Sequence, residues 1–368
     1  MFKVKIIGKF YDNHSLSIIN RYLALELAKV FPDSVCITPL DEPDYINKLS
    51  VSIISELKKL ESVEPAEIEI RHSYPIRWNW PSDNNTKVIY IQPWEFMAMP
   101  SEWQYKFDTF ADAVITPSRW TANVYESAGI NPSKIHVIPN GYNPEVFYNK
   151  NTIKETKYFL FVGCNQFRKG VDILLSAWAS ATKLTDNVKL IIKDTPTIYG
   201  RTNLQQDIIK LQYNSKCARI EYDDSSKSEA DMAELYNSCT YIVHPYRGEG
   251  FGMHLQEAEA CGVTPIVTQG GPTDEFLTKP IFINTGRRVV NVYDIFALKP
   301  GDSMSHMGQH RWVLEPDVKH LTSILNKLVA SDIATDTPAG NANTWENVAK
   351  EYAKVIASVQ TKKPERVR

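Results

Sequence analysis

Two glutamates eight residues apart enclose a glycine-rich segment whose composition suits anion binding. Glu249 and Glu257 flank Gly250 and Gly252, between an apolar strand-like run and a segment with helical periodicity. Glycines let the backbone approach a ligand closely, and amides at a helix N-terminus bind phosphate. Glutamates in loops and helices are usually solvated, but the strand, glycines and helix favour an anion or nucleotide site. The amides expected to face the anion belong to Gly252, Met253, His254 and Leu255.

A second glycine-bearing loop carries two cations directly before a predicted helix. An apolar run over residues 158–162 ends at Gly163, and Arg168 and Lys169 precede Gly170. Cations at a helix N-terminus oppose the helix dipole unless an anion lies between them. Arginine grips phosphate through two parallel hydrogen bonds, and lysine adds a point charge. The pair is therefore a candidate phosphate clamp, although a solvated basic pair has the same sequence.

The elements that must position these loops follow one pattern along the whole chain. Short runs rich in Val and Ile alternate with amphipathic segments, which is typical of βαβ units and parallel sheets, so the predicted class is α/β. A polar segment over residues 140–156 indicates a linker. We predict one domain at 1–150, a second at 151–342, and at 343–368 a terminal helix packing back on the first domain, with a charged tail. Strands are predicted at 3–7, 34–38, 67–71, 87–91, 113–116, 135–138, 158–162, 188–193, 219–222, 241–244 and 265–268, and helices at 17–30, 118–128, 171–181, 203–212, 229–239 and 253–261.

Composition excludes several classes of protein. A chain of 368 residues with 43% hydrophobic content can build two cores, and a formal charge of −2 gives no basic field for nucleic acid. Five scattered cysteines without a CxxC pair indicate neither a disulfide framework nor a zinc site. The sequence has no signal-peptide pattern and no apolar run long enough to span a membrane. We expect a cytoplasmic protein that acts on a small ligand.

The two glycine-bearing segments resemble those of glycosyltransferase family four. This retaining group has the GT-B fold, in which two Rossmann-like domains with parallel sheets face each other across a cleft. The likeness spans the second domain and is patchier in the first. It rests on Glu249-Gly-Phe-Gly with Glu257-Ala-Glu-Ala-Cys-Gly262, as in the family's Glu-x7-Glu motif, on Arg168-Lys169-Gly170, and on Val137-Ile-Pro-Asn-Gly141, Thr116-Pro-Ser-Arg119, Ala233-Glu-Leu-Tyr236 and Gly270-Gly271.

The resemblance implies transfer of a hexose-type sugar from a UDP- or GDP-sugar to a glycan, lipid or other hydroxyl acceptor, with no metal or other cofactor. Arg168 and Lys169 would hold the donor diphosphate together with the amides of residues 252–255. Glu257 would bind the ribose hydroxyls, and Glu249 would contact the transferred sugar as the candidate catalytic residue. The other donor-loop residues are Gly163, Gly250 and Phe251.

The acceptor or sugar side is expected in the first domain, where the sequence is less explicit. Asn13 and His14 follow the first strand, and Gln92 stands where many members of the family have a histidine, so that polar contact differs here. Trp94 belongs to an aromatic group that can stack on sugar faces or belong to the core. The other tryptophans of this group are Trp78, Trp80 and Trp103. Among the histidines of the second domain, His244 is expected to pack within its strand.

Two alternatives stay open. A non-catalytic GT-B protein that binds sugar nucleotides or acts as a scaffold would be expected to lose Lys169 or both motif glutamates, and all three are present. A GT-B sugar-nucleotide epimerase would lack the Glu-x7-Glu pattern in this form. The sequence does not identify the base, sugar or acceptor. Peripheral membrane association also stays open. The sequence has no long basic amphipathic helix that would indicate a membrane anchor.

Overall fold

A computed structural model describes residues 2–43, 49–81, 83–194, 203–290, 312–332, 338 and 340–361. The chain forms two compact units. The first contains the described residues up to Asn143 and those from Ala342 onwards, and the second contains the described residues between Pro144 and Asn341. The division at Asn143 lies within the polar segment 140–156.

The first unit is built on a parallel six-stranded sheet. Its strands are β1 (Val4–Gly8), β2 (Val35–Pro39), β3 (Ile68–His72), β4 (Lys87–Ile91), β5 (Ala113–Thr116) and β6 (Ile135–Val137). Its first four helices are α1 (Ser15–Val30), α2 (Val51–Leu60), α3 (Ser101–Phe110) and α4 (Arg119–Ser127). The strand order is β2-β1-β3-β4-β5-β6, so the direction of winding reverses between β1 and β3. β3, β4 and β5 are buried along their whole length, as strands covered on both faces must be.

The second unit repeats this plan with a different strand order. Its sheet contains β7 (Lys157–Val162), β8 (Val188–Lys193), β9 (Ile220–Asp223), β10 (Tyr241–His244), β11 (Thr264–Thr268) and β12 (Ile281–Ile283), and β13 (Thr285–Val289) pairs with β14 (Trp312–Pro316) in an antiparallel ladder. Its helices are α5 (Val171–Ala181), α6 (Leu204–Ser215), α7 (Glu229–Ser238), α8 (Met253–Ala260) and α9 (Val318–Ala330). The sheet order is β12-β11-β10-β7-β8-β9, a doubly wound arrangement that reverses between β7 and β10.

The core of the second unit packs against β7 and its neighbouring strands. Trp178 of α5 is fully buried, and its indole N–H donates to the Ala218 carbonyl at 3.1 Å. Phe159 of β7 packs against this indole and against Tyr241 of β10, with ring centroids 5.2 and 4.9 Å apart. β7 and β10 pair in parallel with Tyr241 opposite Phe159. The loops that follow these two strands therefore start side by side.

The terminal helix, α10 (Trp345–Gln360), belongs to the first unit. The Thr344 side chain caps it by accepting a hydrogen bond from the Asn347 amide. Trp345 stacks on Tyr22 of α1 with ring centroids 5.5 Å apart. Gly141 makes room for this contact, because a Cβ there would lie 2.7 Å from the Trp345 side chain. The charged tail from residue 362 lies outside the described residues.

Candidate functional site

The reversal between β7 and β10 brings two loops together. We call Phe167–Lys169, which forms a single 3-10 turn after β7, the clamp turn, and residues 245–252, between β10 and α8, the glycine loop. The Arg247 amide donates to the Arg168 carbonyl at 2.6 Å. Gly170 has φ +70°, and a Cβ there would lie 1.9 Å from the Pro245 carbonyl oxygen. Only glycine lets the two loops approach this closely.

Glu249 of the glycine loop forms an ion pair with the clamp turn. Lys169 Nζ lies 2.5 Å from Glu249 Oε2, and Arg168 Nη1 lies 3.6 Å from the same oxygen. The Gly250 amide donates to the other carboxylate oxygen at 3.2 Å. Burial alone would raise the pKa of the Glu249 carboxyl, but Lys169, His244 and Arg168 together hold it well below its usual range. The carboxylate is therefore charged and offsets one of the two positive charges of the clamp turn.

Two histidines, the buried His244 and the half-buried His254, lie next to this ion pair. His244 Nε2 lies 3.6 Å from Glu249 Oε2, and the His254 ring stands edge-on to the His244 ring with centroids 4.5 Å apart. Burial lowers the pKa of His244 to about 4, and burial together with His244 holds the pKa of His254 well below its usual range. Both are neutral at pH 7. The expectation that His244 packs within its strand was incomplete, because this strand-end residue also faces the carboxylate.

The start of α8 differs in part from the expected set of anion-facing amides. Gly252 precedes the helix with φ +106°. The Leu255 amide donates to the Gly252 carbonyl at 2.9 Å, so Leu255 does not offer its amide to a ligand, which corrects the expectation. Gly252, Met253 and His254 lie at the N-terminal end, where the helix orients amides outward. Phe251 stacks on Phe276 with centroids 4.2 Å apart, so its side chain is committed to packing.

Glu257 lies one turn into α8 and differs electrostatically from Glu249. The Tyr236 hydroxyl donates to Glu257 Oε2 at 3.2 Å. Burial, assisted by the charge of Glu229, raises the pKa of Glu257 to about 8, although the Tyr236 hydrogen bond lowers it. Both motif glutamates thus belong to one unit, but Glu249 is ionised at pH 7 whereas Glu257 is mostly protonated. Gly163, the donor-loop residue outside the glycine loop, directly follows β7, and its amide donates to the Lys193 carbonyl at 3.0 Å.

Sequence reasoning missed two residues that hold the site together. Tyr236 was noted only within a supporting motif, and its contact with Glu257 depends on how α7 packs beside α8. Arg247 was not singled out, although its guanidinium contacts the clamp turn, α5 and β14. The sequence feature that could have revealed Arg247 is its place between an apolar strand and a glycine. A charged side chain so close to a buried strand is expected to need partners in the interior.

In the first unit, Asn13 and His14 lie in the loop that follows β1, at the reversal between β1 and β3. The His14 amide donates to Asp12 Oδ1 at 2.8 Å, and burial lowers the pKa of His14. His72 ends β3, is buried, and lies 2.8 Å through Nδ1 from Asn20 Oδ1. Because the strand order reverses between β1 and β3, the loop that carries Asn13 and His14 lies where doubly wound sheets bind their ligands.

Gln92 and Trp94 are more buried than expected for residues that contact an acceptor or a sugar. Gln92 is 5% exposed and donates through Nε2 to the Pro93 carbonyl at 2.8 Å. Trp94 is 2% exposed, donates through Nε1 to the Ala98 carbonyl, and packs on Trp103 with centroids 4.7 Å apart. Trp94 is a core residue, which corrects the suggestion that it stacks on a sugar. Trp80 keeps 41% of its surface exposed.

The described residues offer neither a cluster of metal ligands nor a membrane-spanning helix. No group of three or more His, Cys, Asp or Glu side chains within the described ranges is arranged to hold a metal ion. Over the same part of the chain, no helix combines the length and apolar character needed to cross a membrane.

Two parts of the chain match the models of known glycosyltransferase families. Residues 144–287 match the model of glycosyl transferases group 1, and residues 71–146 match that of glycosyltransferase family 4. An uncharacterised glycosyltransferase of Methanocaldococcus jannaschii is 31% identical over 169 residues, which is 46% of this chain and only 43% of that relative.

Solved structures match over nearly the whole chain. Anabaena HepE in complex with UDP-glucose has a TM-score of 0.65 at 12% identity, covering 97% of this chain and 100% of that one. A glycosyltransferase from Rickettsia africae has a TM-score of 0.60 at 14% identity, covering 98% and 100%. At such identities the likeness is one of fold. The family models, the archaeal relative and the shared α/β architecture together support a glycosyltransferase family of the GT-B fold for this chain.

Proposed function

We propose that the chain is a retaining, metal-independent glycosyltransferase that transfers a hexose-type sugar from a nucleoside diphosphate donor to a hydroxyl group of a glycan or lipid acceptor. The observation that carries the proposal is the convergence of Arg168, Lys169 and Glu249 at the strand-order reversal of the second unit. A pair of cations against one carboxylate, beside a helix N-terminus, is suited to a ligand with two phosphates and a sugar.

The donor diphosphate would bind between the clamp turn and the start of α8. In the structure the Glu249 carboxylate pairs with Lys169 Nζ at 2.5 Å. An arriving diphosphate takes over Lys169 and Arg168, and it leaves the Glu249 carboxylate available to the sugar. Glu257, four residues after Met253 on α8, would accept hydrogen bonds from the ribose hydroxyls. The three side chains together carry one net positive charge, which favours the binding of an anion.

The reaction places opposite charges at opposite ends of the breaking bond. The bond from the anomeric carbon to the phosphate oxygen breaks, a bond from the same carbon to the acceptor oxygen forms on the same face, and the acceptor proton passes to the leaving phosphate. Negative charge then grows on the diphosphate, where the clamp and the helix dipole stabilise it. Positive charge grows on the sugar ring, where the ionised Glu249 stabilises it. Because both groups are fixed before the reaction, little reorganisation is needed.

The donor is proposed to be a UDP- or GDP-sugar, and UDP-glucose is the first probe because the Anabaena HepE structure contains it. We propose a cytoplasmic location, and we assign no fixed oligomeric state. Asn13, His14 and Gln92 remain proposed contacts on the acceptor or sugar side.

The proposal is tested by thermal stability and nucleotide release with UDP-glucose, GDP-mannose, UDP and GDP. We expect one nucleotide series to raise the melting temperature at millimolar concentration. Lys169→Met and Glu257→Ala should abolish that rise. Lys106→Met is the matched control, since Lys106 also lies near a glutamate, with its Nζ 2.9 Å from Glu102, but belongs to the first unit.

The outcomes separate the candidate functions. If no nucleotide stabilises the wild-type protein, the donor site does not exist. If a nucleotide binds but no sugar is released or transferred with any acceptor, the non-catalytic sugar-nucleotide-binding protein becomes the better account. If the nucleotide sugar is converted to its epimer without nucleotide release, the chain is an epimerase.

A further inference from the structure

Arg247 of the glycine loop is a buried cation that the proposed reaction does not use directly. Only 3% of its surface is exposed. Its guanidinium makes five hydrogen bonds, one for each N–H that an arginine side chain carries. A cation buried this deeply is tolerated only when all its donors are satisfied, so its position is closely defined.

The five hydrogen bonds join three separate segments. Nη1 donates to the Phe167 carbonyl of the clamp turn at 2.9 Å. Nη1 and Nη2 grip the two carboxylate oxygens of Asp172, in the first turn of α5, at 2.8 and 2.7 Å. Nε and Nη2 grip Glu315 of β14 at 3.0 and 3.2 Å. Two forked carboxylate contacts from one side chain are within reach of arginine and not of lysine.

The backbone and the ring contacts of Arg247 reinforce the same connection. Its amide donates to the Arg168 carbonyl, and its own carbonyl accepts from the Leu314 amide at 3.0 Å. The guanidinium carbon lies 4.2 Å from the centroid of the Phe167 ring, within the range of a cation–π contact. Arg247 therefore contacts the clamp turn at the Phe167 ring and at the Phe167 and Arg168 carbonyls, and it also binds the helix α5 that follows the turn.

We propose that Arg247 is a positioning residue that sets the clamp turn at the distance from the glycine loop which the donor diphosphate requires. The proposal rests on the proposed function. Arg168 and Lys169 follow Phe167 directly, so a shift of the Phe167 carbonyl moves both cations relative to Glu249 and to α8. Without Arg247, Asp172 and Glu315 lose their shared cation and the Phe167 carbonyl loses its side-chain donor. The turn then loosens at the point where the two phosphates must be gripped.

The test compares ligands that differ by one phosphate. The affinities of UDP and UMP, or of GDP and GMP if the wild-type protein prefers guanine, are measured by titration calorimetry for Arg247→Met, Arg247→Lys and Asp172→Asn. We expect Arg247→Met to weaken diphosphate binding by about tenfold, with a much smaller loss for the monophosphate. Arg247→Lys should not restore it, because lysine cannot fork two carboxylates. Arg119→Met, at an exposed arginine of the first unit, is the matched control.

Each outcome decides one point. Equal losses for the monophosphate and diphosphate, or a lower melting temperature with wild-type affinities, would overturn the positioning role. Full rescue by Arg247→Lys would overturn it as well. If Arg247→Met does not fold, Asp172→Asn decides, because the Asp172 side chain is 60% exposed and its loss keeps the arginine. If the wild-type protein binds no nucleotide, both the proposed function and this role fail together.

Discussion

The affinity for a nucleotide sugar should rise with pH between 6 and 9, because the half-buried carboxyl of Glu257, the proposed ribose ligand, accepts hydrogen bonds best once it has lost its proton. The pKa of Glu257 stands at about 8, raised by burial and by Glu229. Ribose hydroxyls donate hydrogen bonds, and a carboxylate accepts them in its ionised form. Binding therefore lowers the pKa of Glu257 and releases a proton.

The size of the effect follows from the pKa of the free protein. At pH 6, two units below a pKa of about 8, about one molecule in a hundred carries an ionised Glu257. If binding restores the pKa to its ordinary range near 4.5, the apparent Kd at pH 6 is about 100-fold weaker than above pH 8. The sign is fixed: a pKa that is raised in the free protein makes binding weaker as the pH falls.

The neighbouring groups do not produce this dependence. Burial raises the pKa of Cys261 to about 12 and that of Tyr236 well above its usual range, so both stay neutral from pH 6 to 9. Burial holds the pKa values of His244 and His254 below this range.

The assay is calorimetry with an intact nucleotide sugar, since both of its phosphates are esterified and neither takes up a proton near pH 6. Glu257→Gln should bind more weakly and show no pH dependence. Glu229→Gln removes a nearby negative charge and should move the midpoint to lower pH. A wild-type Kd that stays constant from pH 6 to 9, or that rises with pH, would show that Glu257 does not contact the donor in its ionised form.

Three further outcomes test single residues of the site. Lys169→Met should reduce diphosphate affinity by at least about tenfold and free Glu249 from its ion pair, which calorimetry with UDP or GDP measures. Glu249→Gln should lower turnover by about 100-fold or more with donor affinity largely kept, so equal losses in kcat and in affinity would contradict its place beside the sugar. Gly170→Ala should destabilise the protein by about 2 kcal/mol or more, because φ is +70° and the Cβ would lie 1.9 Å from the Pro245 oxygen. Gly286→Ala, with the nearest atom 4.0 Å away, is its control in a urea titration.

Several strands of both units could be predicted because each coincides with an apolar run. β4, β5, β8 and β10 begin and end where the Val- and Ile-rich runs do. α5 likewise has the predicted bounds, since Gly170 marks its start and its apolar residues recur at helical spacing. Local pattern was sufficient for these elements.

Other elements were not predicted, although some of them carry a readable pattern. α3 carries Trp103 and Phe107 at helical spacing, but the sequence left open whether the aromatic residues around it stack on a sugar or belong to the core. β13 and β14 pair although the chain between them is too long for the two- to five-residue loop by which a hairpin is recognised. α9 is strongly amphipathic but was not assigned.

The contacts within the site depend on strand order, which the sequence does not state. Lys169 and Glu249 are 80 residues apart and meet only because β7 and β10 are neighbours. Arg247 finds its two carboxylates on different elements for the same reason. The sequence was enough to predict which residue types form the site. That Glu249 pairs with Arg168 and Lys169 is known only from the three-dimensional structure.

A crystal structure with the bound nucleoside diphosphate tests the central claim most directly. The account predicts both phosphates within about 3 Å of Lys169 Nζ, Arg168 or the amides at the start of α8, with the 2.5 Å contact between Lys169 and Glu249 opened and the ribose hydroxyls on Glu257. A nucleotide bound elsewhere, or bound here with the Lys169–Glu249 pair intact and Glu257 out of reach, would contradict it.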